Sequence, residues 1–531
     1  FITTINKKKS PNKMAAIITD QLRILNAKNF VSGVQASTNS YYTFIGLPNP
    51  TDYLSTWNND PPSPKDSLDQ SNDYWDTMIA LKKISSTDVT QVVKKNTWRS
   101  GNLYDMWRND ITRSNPSQPS GSFNIYSSNY YVINSDYRVY CCLNNNALPE
   151  NDFKGSPSLD EPLFTDLEPR AAGSSGDGYI WKYLYTIKPS DAVKFDSTNY
   201  IPVPNDWGNT TDTSVMKQNA TSSGQLKICT IRNRGAGLGN ANTYTNVPIK
   251  GDGRGAKATI VVNADSKIES ISITNGGSGY TYGTVDYVGG GIPTGSTVPV
   301  FNVIIPPTDG HGFDIYSELG AFNVLTYSRF ENDTENPDFI TGNEFARVGL
   351  VENPQPYASS SLLTSDKAAA TYALRLTGTG YSSVTFTSDT EITQKVGVGS
   401  TAIGRVVSYD QTTGVLKYWK DRTNVGFNSD GTQNSSPEYG FECLKFDGNA
   451  KAFNGNVDIL GGSATLQIGT SFSGITTIIN NKTYNLGQEF VQGVAEPESK
   501  QYSGNIIYVD NRPGITRSSS QKEDVKIILQ F

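Results

Sequence analysis

The chain holds 531 residues with a net charge of −6, from 45 basic and 51 acidic side chains, and that length exceeds what one hydrophobic core serves, so several domains are expected. Aromatic residues make up 11%, too much burial-seeking mass for general disorder. The charges are interspersed, with no basic stripe to follow a phosphate backbone, which argues against nucleic-acid binding.

The only basic run is Lys7-Lys8-Lys9. It reads as a solvated tail, and residues 1–13 are expected as an arm extended over the protein surface or over a partner chain. Either residues precede Phe1 or Met14 is the natural start. Met14-Ala-Ala-Ile-Ile is too short for a signal-peptide core, and Asp20 interrupts it. No apolar run reaches the ~18 residues of a membrane-spanning helix, so no membrane role is expected. Met14, Ile17, Ile18, Leu22 and Leu25 recur at three- and four-residue spacing and predict a short helix over 14–31 with those residues as its buried stripe. Tyr41 to Gly46 reads as a strand. Pro48, Pro50, Pro61, Pro62 and Pro64 mark a stiff surface connection. Residues 74–83 are ambiguous between helix and strand. Val89, Val92 and Val93 form a further apolar group, and 130–143 read as two strands around an Asn134-Ser-Asp136 turn.

A Gly-Asp-Gly turn then opens into Tyr179-Ile-Trp-Lys-Tyr-Leu-Tyr-Thr-Ile187. Successive strand side chains point to opposite faces, so Tyr179, Trp181, Tyr183, Tyr185 and Ile187 make an aromatic stripe. Such a stripe is a core face or a recognition surface. The opposite face (Ile180, Lys182, Leu184) is itself partly apolar, which favours a buried strand. From 225 to 305 the chain turns Gly-, Val-, Ile- and Thr-rich. A degenerate repeat pairs the stretch from Arg234 to Val247 with that from Asn275 to Val285, and Asn263-Ala-Asp265 reads as a turn between strands, giving a small all-β module. Residues 306–375 change character, and a second glycine-rich β stretch fills 376–500 as a small barrel or sandwich. At the end, Val525, Ile527, Leu529 and Phe531 share one strand face.

Catalytic and metal-binding signatures are weak. His311 is the only histidine. In Asp309-Gly-His-Gly312 it reads as a turn residue rather than a triad member. One histidine without a cysteine cluster excludes the usual zinc sites. Gly251-Asp-Gly-Arg-Gly-Ala-Lys257 lacks the spacing of a phosphate loop. Gly235, Gly237 and Gly239 read as hairpin glycines, and Asn428-Ser-Asp430-Gly431 lacks the later ligands of a calcium loop. Cys141, Cys142, Cys229 and Cys443 form no disulfide framework and suit assembly in a reducing cytoplasm. No catalytic, cofactor or metal residues are assigned, and no enzyme is expected.

Two segments carry a resemblance: Ser175 to Ile187, quoted above, and Ser503-Gly-Asn-Ile-Ile-Tyr-Val-Asp-Asn-Arg-Pro-Gly-Ile515 with its closing strand from Val525 to Phe531. Weaker echoes are Asp73-Tyr-Trp-Asp-Thr-Met78, Asn96-Thr-Trp98 and Tyr137-Arg-Val-Tyr-Cys-Cys-Leu143. Together, in this order, they resemble the baseplate wedge subunit (gene product eight) of T-even-type contractile phages. The likeness covers 14–220 and 501–531, is loose over 306–375, and leaves the two glycine-rich stretches as surplus. It implies a mainly β, layered sandwich core that is discontinuous in sequence. The expected domains are 1–13 as an arm, 14–223, 306–375 and 501–531 as the core, and 224–305 and 376–500 as insertions. It further implies a non-enzymatic virion protein, assembled in the host cytoplasm, that forms a homodimer at the baseplate periphery. That dimer would join other wedge proteins to fibre- or spike-attachment proteins and rearrange when the sheath contracts. The rival readings are a host-surface glycan binder or tailspike-type protein using the Gly/Tyr-rich modules, and an assembly chaperone. With the resemblance, the aromatic strand and the Asn511-Arg-Pro513 strand are expected to be buried together in one core.

Overall fold

The N-terminal helix forms, but it buries a different stripe from the one its periodicity suggests. In the structure, a computed structural model describing residues 18–49, 56–208, 223–332, 344–397, 400–420, 454–455, 465–516 and 521–531, the helix spans Asp20–Gln35. Ile24, Ala27, Val31 and Val34 are buried, whereas Ile18, Leu22 and Leu25 are 68%, 45% and 51% exposed. Both sets satisfy three- and four-residue spacing, so periodicity identified a helix without saying which stripe packs. Residues 1–13 and Met14 lie outside the described residues.

Among the described residues strand makes up 41% and helix 10%, so sheets carry the cores and the fold is mainly β, as composition predicts. Contacts divide the chain into two compact units. The first takes Thr90–Leu325 with residues up to Val31 and Ile528–Phe531; the second takes Ser32–Val89 and Thr326–Ile527.

In the first unit, strands Tyr131–Ile133, Arg138–Asn145 and Tyr179–Thr186 form an antiparallel sheet in that order. The predicted turn between the first two is built by Asn134, whose Oδ1 accepts from the amides of Asp136 and Arg138 at 3.0 and 2.8 Å. These strands, Val93, Ile201, Ile315, Leu319 and Ala321 share one core. Residues 226–303 close a second core of their own, around Val247, Ile260, Ile268 and Tyr280. It is covered by a four-stranded sheet ordered Ile268–Asn275, Lys257–Val262, Asn242–Gly251, Gly283–Val285, and by the pair Ile228–Asn233 with Val300–Ile304. Asn263 makes its predicted turn in the same way as Asn134, its Oδ1 accepting from the amides of Asp265 and Lys267.

The second unit resolves the ambiguity at 74–83, because the segment is both things. Ser67 caps helix Leu68–Asp76, Thr77 Oγ1 closes it by donating to Asp73 O at 2.7 Å, and strand Met78–Lys83 follows at once. That strand joins a five-stranded sheet ordered Lys367–Ala369, Met78–Lys83, Tyr41–Gly46, Glu344–Glu352, Asn505–Thr516. Every residue of Tyr41–Gly46 is buried, as a central strand covered on both faces should be. Asn505–Thr516 lies on the edge, where Pro513 costs no ladder bond. Between the pairs Phe345↔Ile515 and Arg347↔Asn511 the register slips, so Arg512-Pro-Gly514 bulges opposite Ala346. Residues 372–468 contribute to another core (Leu374, Leu376, Ile392, Val406, Leu416, Tyr418), under a sheet that includes strands Glu391–Gly397, Ser400–Asp410, Val415–Trp419 and Tyr372–Thr379. The aromatic strand thus belongs to the first unit and the Asn511-Arg-Pro513 strand to the second, in separate sheets rather than one core.

Candidate functional site

The aromatic stripe is core. Tyr179, Trp181 and Tyr185 are fully buried and Tyr183 nearly so. Tyr179 stacks on Trp181 at 5.3 Å between centroids, and Tyr104 meets both edge-on. Tyr179 OH accepts from the Tyr104 amide at 3.0 Å, and Tyr185 OH donates to Pro202 O at 3.1 Å. Burial pushes both phenols above their ordinary pKa range. No ring of this stripe is open to a sugar or a partner.

The chemistry lies behind it. Cys141 and Lys182 are cross-strand partners in the three-stranded sheet, so their side chains share the face opposite the stripe. The short helix Ile315–Leu319 aims a third group at that face. Asp314 caps it by accepting from the amides of Tyr316 and Ser317, and Gly320 ends it at φ +68°, ψ +51°, in the left-handed region. Ile315 and Glu318, three residues apart, fall on one side, and both are buried. His311 sits just upstream, between Gly310 and Gly312, both at positive φ. Its Nδ1 lies 2.6 Å from Glu318 Oε1, while the Gly312 amide donates to Glu318 Oε2 at 2.7 Å. Trp107 packs edge-on against the imidazole at 4.9 Å. The donor atoms of Cys141, His311 and Glu318 all lie within 4.8 Å of one another.

Electrostatics define what this cluster can do. Burial pushes the Cys141 thiol well up, and the adjoining Glu318 carboxylate, which accepts a hydrogen bond from it, adds to the effect. Burial lowers the Lys182 ammonium to about 8, opposed by the attraction of Glu318. Lys182 Nζ donates to Leu167 O at 2.6 Å and Tyr183 O at 3.2 Å. A nucleophilic triad puts the imidazole between thiol and carboxylate, so that the base faces the nucleophile. Here the carboxylate holds the middle place and the thiol stays protonated. The arrangement ties strand, turn and helix together and supplies no activated nucleophile.

The second unit has its own buried charge. Arg347 is 1% exposed. Its guanidinium donates to Asn511 Oδ1 at 2.8 Å, Thr77 Oγ1 at 2.5 Å and Asn49 Oδ1 at 2.7 Å. It lies over the rings of Tyr74 and Trp57, at 4.7 and 5.4 Å. Asn511 Nδ2 in turn donates to Pro62 O, and Trp57 Nε1 donates to Arg512 O, both at 2.8 Å. Burial lowers Arg347 to about 10, with Tyr74 and Asp73 opposing. The Asn-Arg-Pro segment singled out in the sequence is therefore the partner of a buried cation.

His311 sits in a turn, as its flanking glycines predict, and its side chain, 6% exposed, belongs to a polar cluster. In the sequence Cys141 stands out only as a cysteine and Lys182 only as an off-stripe position, and Glu318 and Arg347 lie in no motif. The Gly251–Lys257 stretch is a hairpin connection whose Asp252 accepts from the amides of Thr281 and Tyr282. The glycines at 235, 237 and 239, all at positive φ, connect strands Ile228–Asn233 and Asn242–Gly251, which pair with other strands and not with each other, so they lie in a loop and not in the expected hairpin. Cys443 and Asn428 to Gly431 lie outside the described residues. No helix among the described residues is long and apolar enough to cross a membrane.

No protein-family model matches the chain. It is similar to a protein of Enterobacteria phage T4, baseplate wedge protein gp8. The two are 26% identical over 214 residues, a match that spans 36% of this chain and 60% of the phage T4 protein. This chain thus spans less than two thirds of the relative's length.

Proposed function

We propose that this protein is a non-enzymatic structural component of a phage tail baseplate, of the wedge type. The similarity to the phage T4 wedge protein carries the reading. The interior agrees with it: the large aromatic groups and both buried charge centres are spent on holding segments together. In the finer form of the proposal the protein sits in the wedge of a contractile tail as a homodimer. It joins other wedge proteins to fibre- or spike-attachment proteins and rearranges as the sheath contracts. A part with that task needs rigid bodies whose contacts can be exchanged between two assembly states.

Residues 226–303, with a core of their own, serve in this reading as an added docking surface. Mass spectrometry of purified virions tests the proposal, which expects the protein in every tailed particle. Its absence from mature particles would point to an assembly chaperone, and glycan-array binding with depolymerase activity would point to a tailspike. Deleting residues 225–305 is expected to leave the remaining chain folded and to reduce particle yield. Unchanged yield and infectivity would remove the docking role.

A further inference from the structure

We infer that Cys141, His311 and Glu318 form a binding site for one zinc-class divalent cation in the interior of the first unit. Three donor types converge there: a thiol from the central strand of a sheet, an imidazole from a glycine-flanked turn, and a carboxylate from a capped helix, all within 4.8 Å. Zinc accepts this mixed set at about 2.0–2.3 Å per ligand, and three protein ligands leave one of its four positions for water. The elements that deliver the donors are fixed independently of any metal. The strand is paired on both sides, the helix is capped at both ends, and the Gly310 amide bonds Pro307 O at 2.9 Å.

The surroundings resemble the support that metal ligands require. Glu318 Oε2 is already oriented by the Gly312 amide, which leaves Oε1 for the ion. Trp107 fixes the plane of the imidazole. Loading replaces two hydrogen-bonding protons with one cation. The Cys141 Sγ proton leaves to water, and His311 Nδ1 must carry no proton so that its lone pair can meet the ion. The metal then bonds Sγ, Nδ1 and Oε1. The 2.6 Å separation of Nδ1 from Oε1 opens by roughly 1 Å to reach tetrahedral spacing, through rotation about the Glu318 side chain. Thiolate and carboxylate together match the two charges of the ion, with the Lys182 ammonium as the remaining charge on that face. The staple would join the Cys141 strand to the 309–320 segment, more than 160 residues away in sequence.

Cobalt substitution tests this on the full chain. Protein dialysed against chelator is titrated with Co²⁺ and read by optical absorption, and metal content after zinc loading is read by mass spectrometry. One Co²⁺ per chain is expected, with a sulfur-to-cobalt charge-transfer band, tetrahedral ligand-field bands, and displacement by Zn²⁺. Cys141→Ser should abolish the charge-transfer band and weaken binding by at least about tenfold. Cys142→Ser should leave both intact. Failure of wild-type protein to bind cobalt, or cobalt spectra without a thiolate band, would overturn the site, and neither result depends on any variant folding. A band that survives Cys141→Ser would place the metal elsewhere and equally overturn it.

Discussion

Glu318 and Arg347 are each a single charge taken out of water, 3% and 1% exposed, and the two units handle them differently. The anion in the first unit is met by an amide, an imidazole, a thiol and, through space, an ammonium. The cation in the second unit is met by three neutral side-chain oxygens and two aromatic faces. A buried charge with no opposite charge in direct contact is tolerated when hydrogen-bond acceptors and polarisable surface lie beside it. Arg347 therefore fixes Asn49, Thr77 and Asn511 in place at once, and its geometry should matter more than its charge. Glu318 belongs to a group of ionisable partners, so its charge should matter too.

The largest expected effect breaks the second arrangement. Arg347→Ala takes the donor from buried Thr77 Oγ1 and from the half-buried Asn49 and Asn511 Oδ1, at about 1–3 kcal/mol for a fully buried acceptor and less for the other two, and with the lost packing should cost on the order of 4 kcal/mol in urea unfolding. Glu318→Gln keeps the size and one acceptor, and should cost on the order of 2 kcal/mol because Lys182 loses its attraction. Equal losses would erase the distinction between the two centres.

A smaller effect compares two buried lysines, Lys182 in the first unit and Lys417 in the second. Burial lowers each to about 8, with Glu318 and Glu498 respectively opposing. A lysine depressed in the folded state sheds its proton there first, so between pH 8 and the ordinary lysine value the unfolded chain holds more protons. Stability must then rise with pH across that window. From pH 7 to 9.5 each lysine should contribute about 2 kcal/mol. Chemical denaturation at half-unit steps checks this, and Lys417→Met should remove about half of the rise. A flat profile would mean that neither ammonium is desolvated.

Much of this was legible in the sequence, for one physical reason: local chemistry is written locally. The Asn134 and Asn263 turns and the aromatic strand follow from neighbours within a dozen residues, and the core of 226–303 announces itself by a shift in composition confined to that stretch. The buried centres do not. Glu318 meets Cys141 across more than 170 residues and Arg347 meets Asn511 across 164, and no spacing rule links them. Asn511-Arg-Pro513 was conspicuous as a motif, but its reason, a guanidinium on the neighbouring strand, could not be read from it. Nor could sequence tell that the aromatic strand and the Asn-Arg-Pro strand fall in different units.

Whether the first centre depends on its turn geometry can be tested at Gly320. Its φ is +68°, and an added Cβ would sit 2.4 Å from the Tyr126 ring. Gly320→Ala should therefore cost about 1–3 kcal/mol through left-handed strain and the clash. If the Glu318 helix is what positions the cluster, the same variant should also weaken cobalt binding. Loss of stability with unchanged cobalt affinity would separate the helix end from the site.

The smallest effect is expected where burial is absent. On the Asp20–Gln35 helix, Leu22 and Leu25 face solvent while Ile24 is 5% exposed. Leu22→Ser and Leu25→Ser should each change the stability of the isolated chain by less than about 0.5 kcal/mol. Ile24→Ala should cost about 2–4 kcal/mol through the cavity it leaves. The reverse ranking would restore the stripe that periodicity suggested. The pair of serine variants also separates folding from assembly, since an apolar stripe that contributes nothing to the isolated chain can still matter in a particle. Unchanged melting combined with a lowered yield of complete tails would place Leu22 and Leu25 against another subunit, whereas unchanged melting and yield would leave them as ordinary exposed leucines.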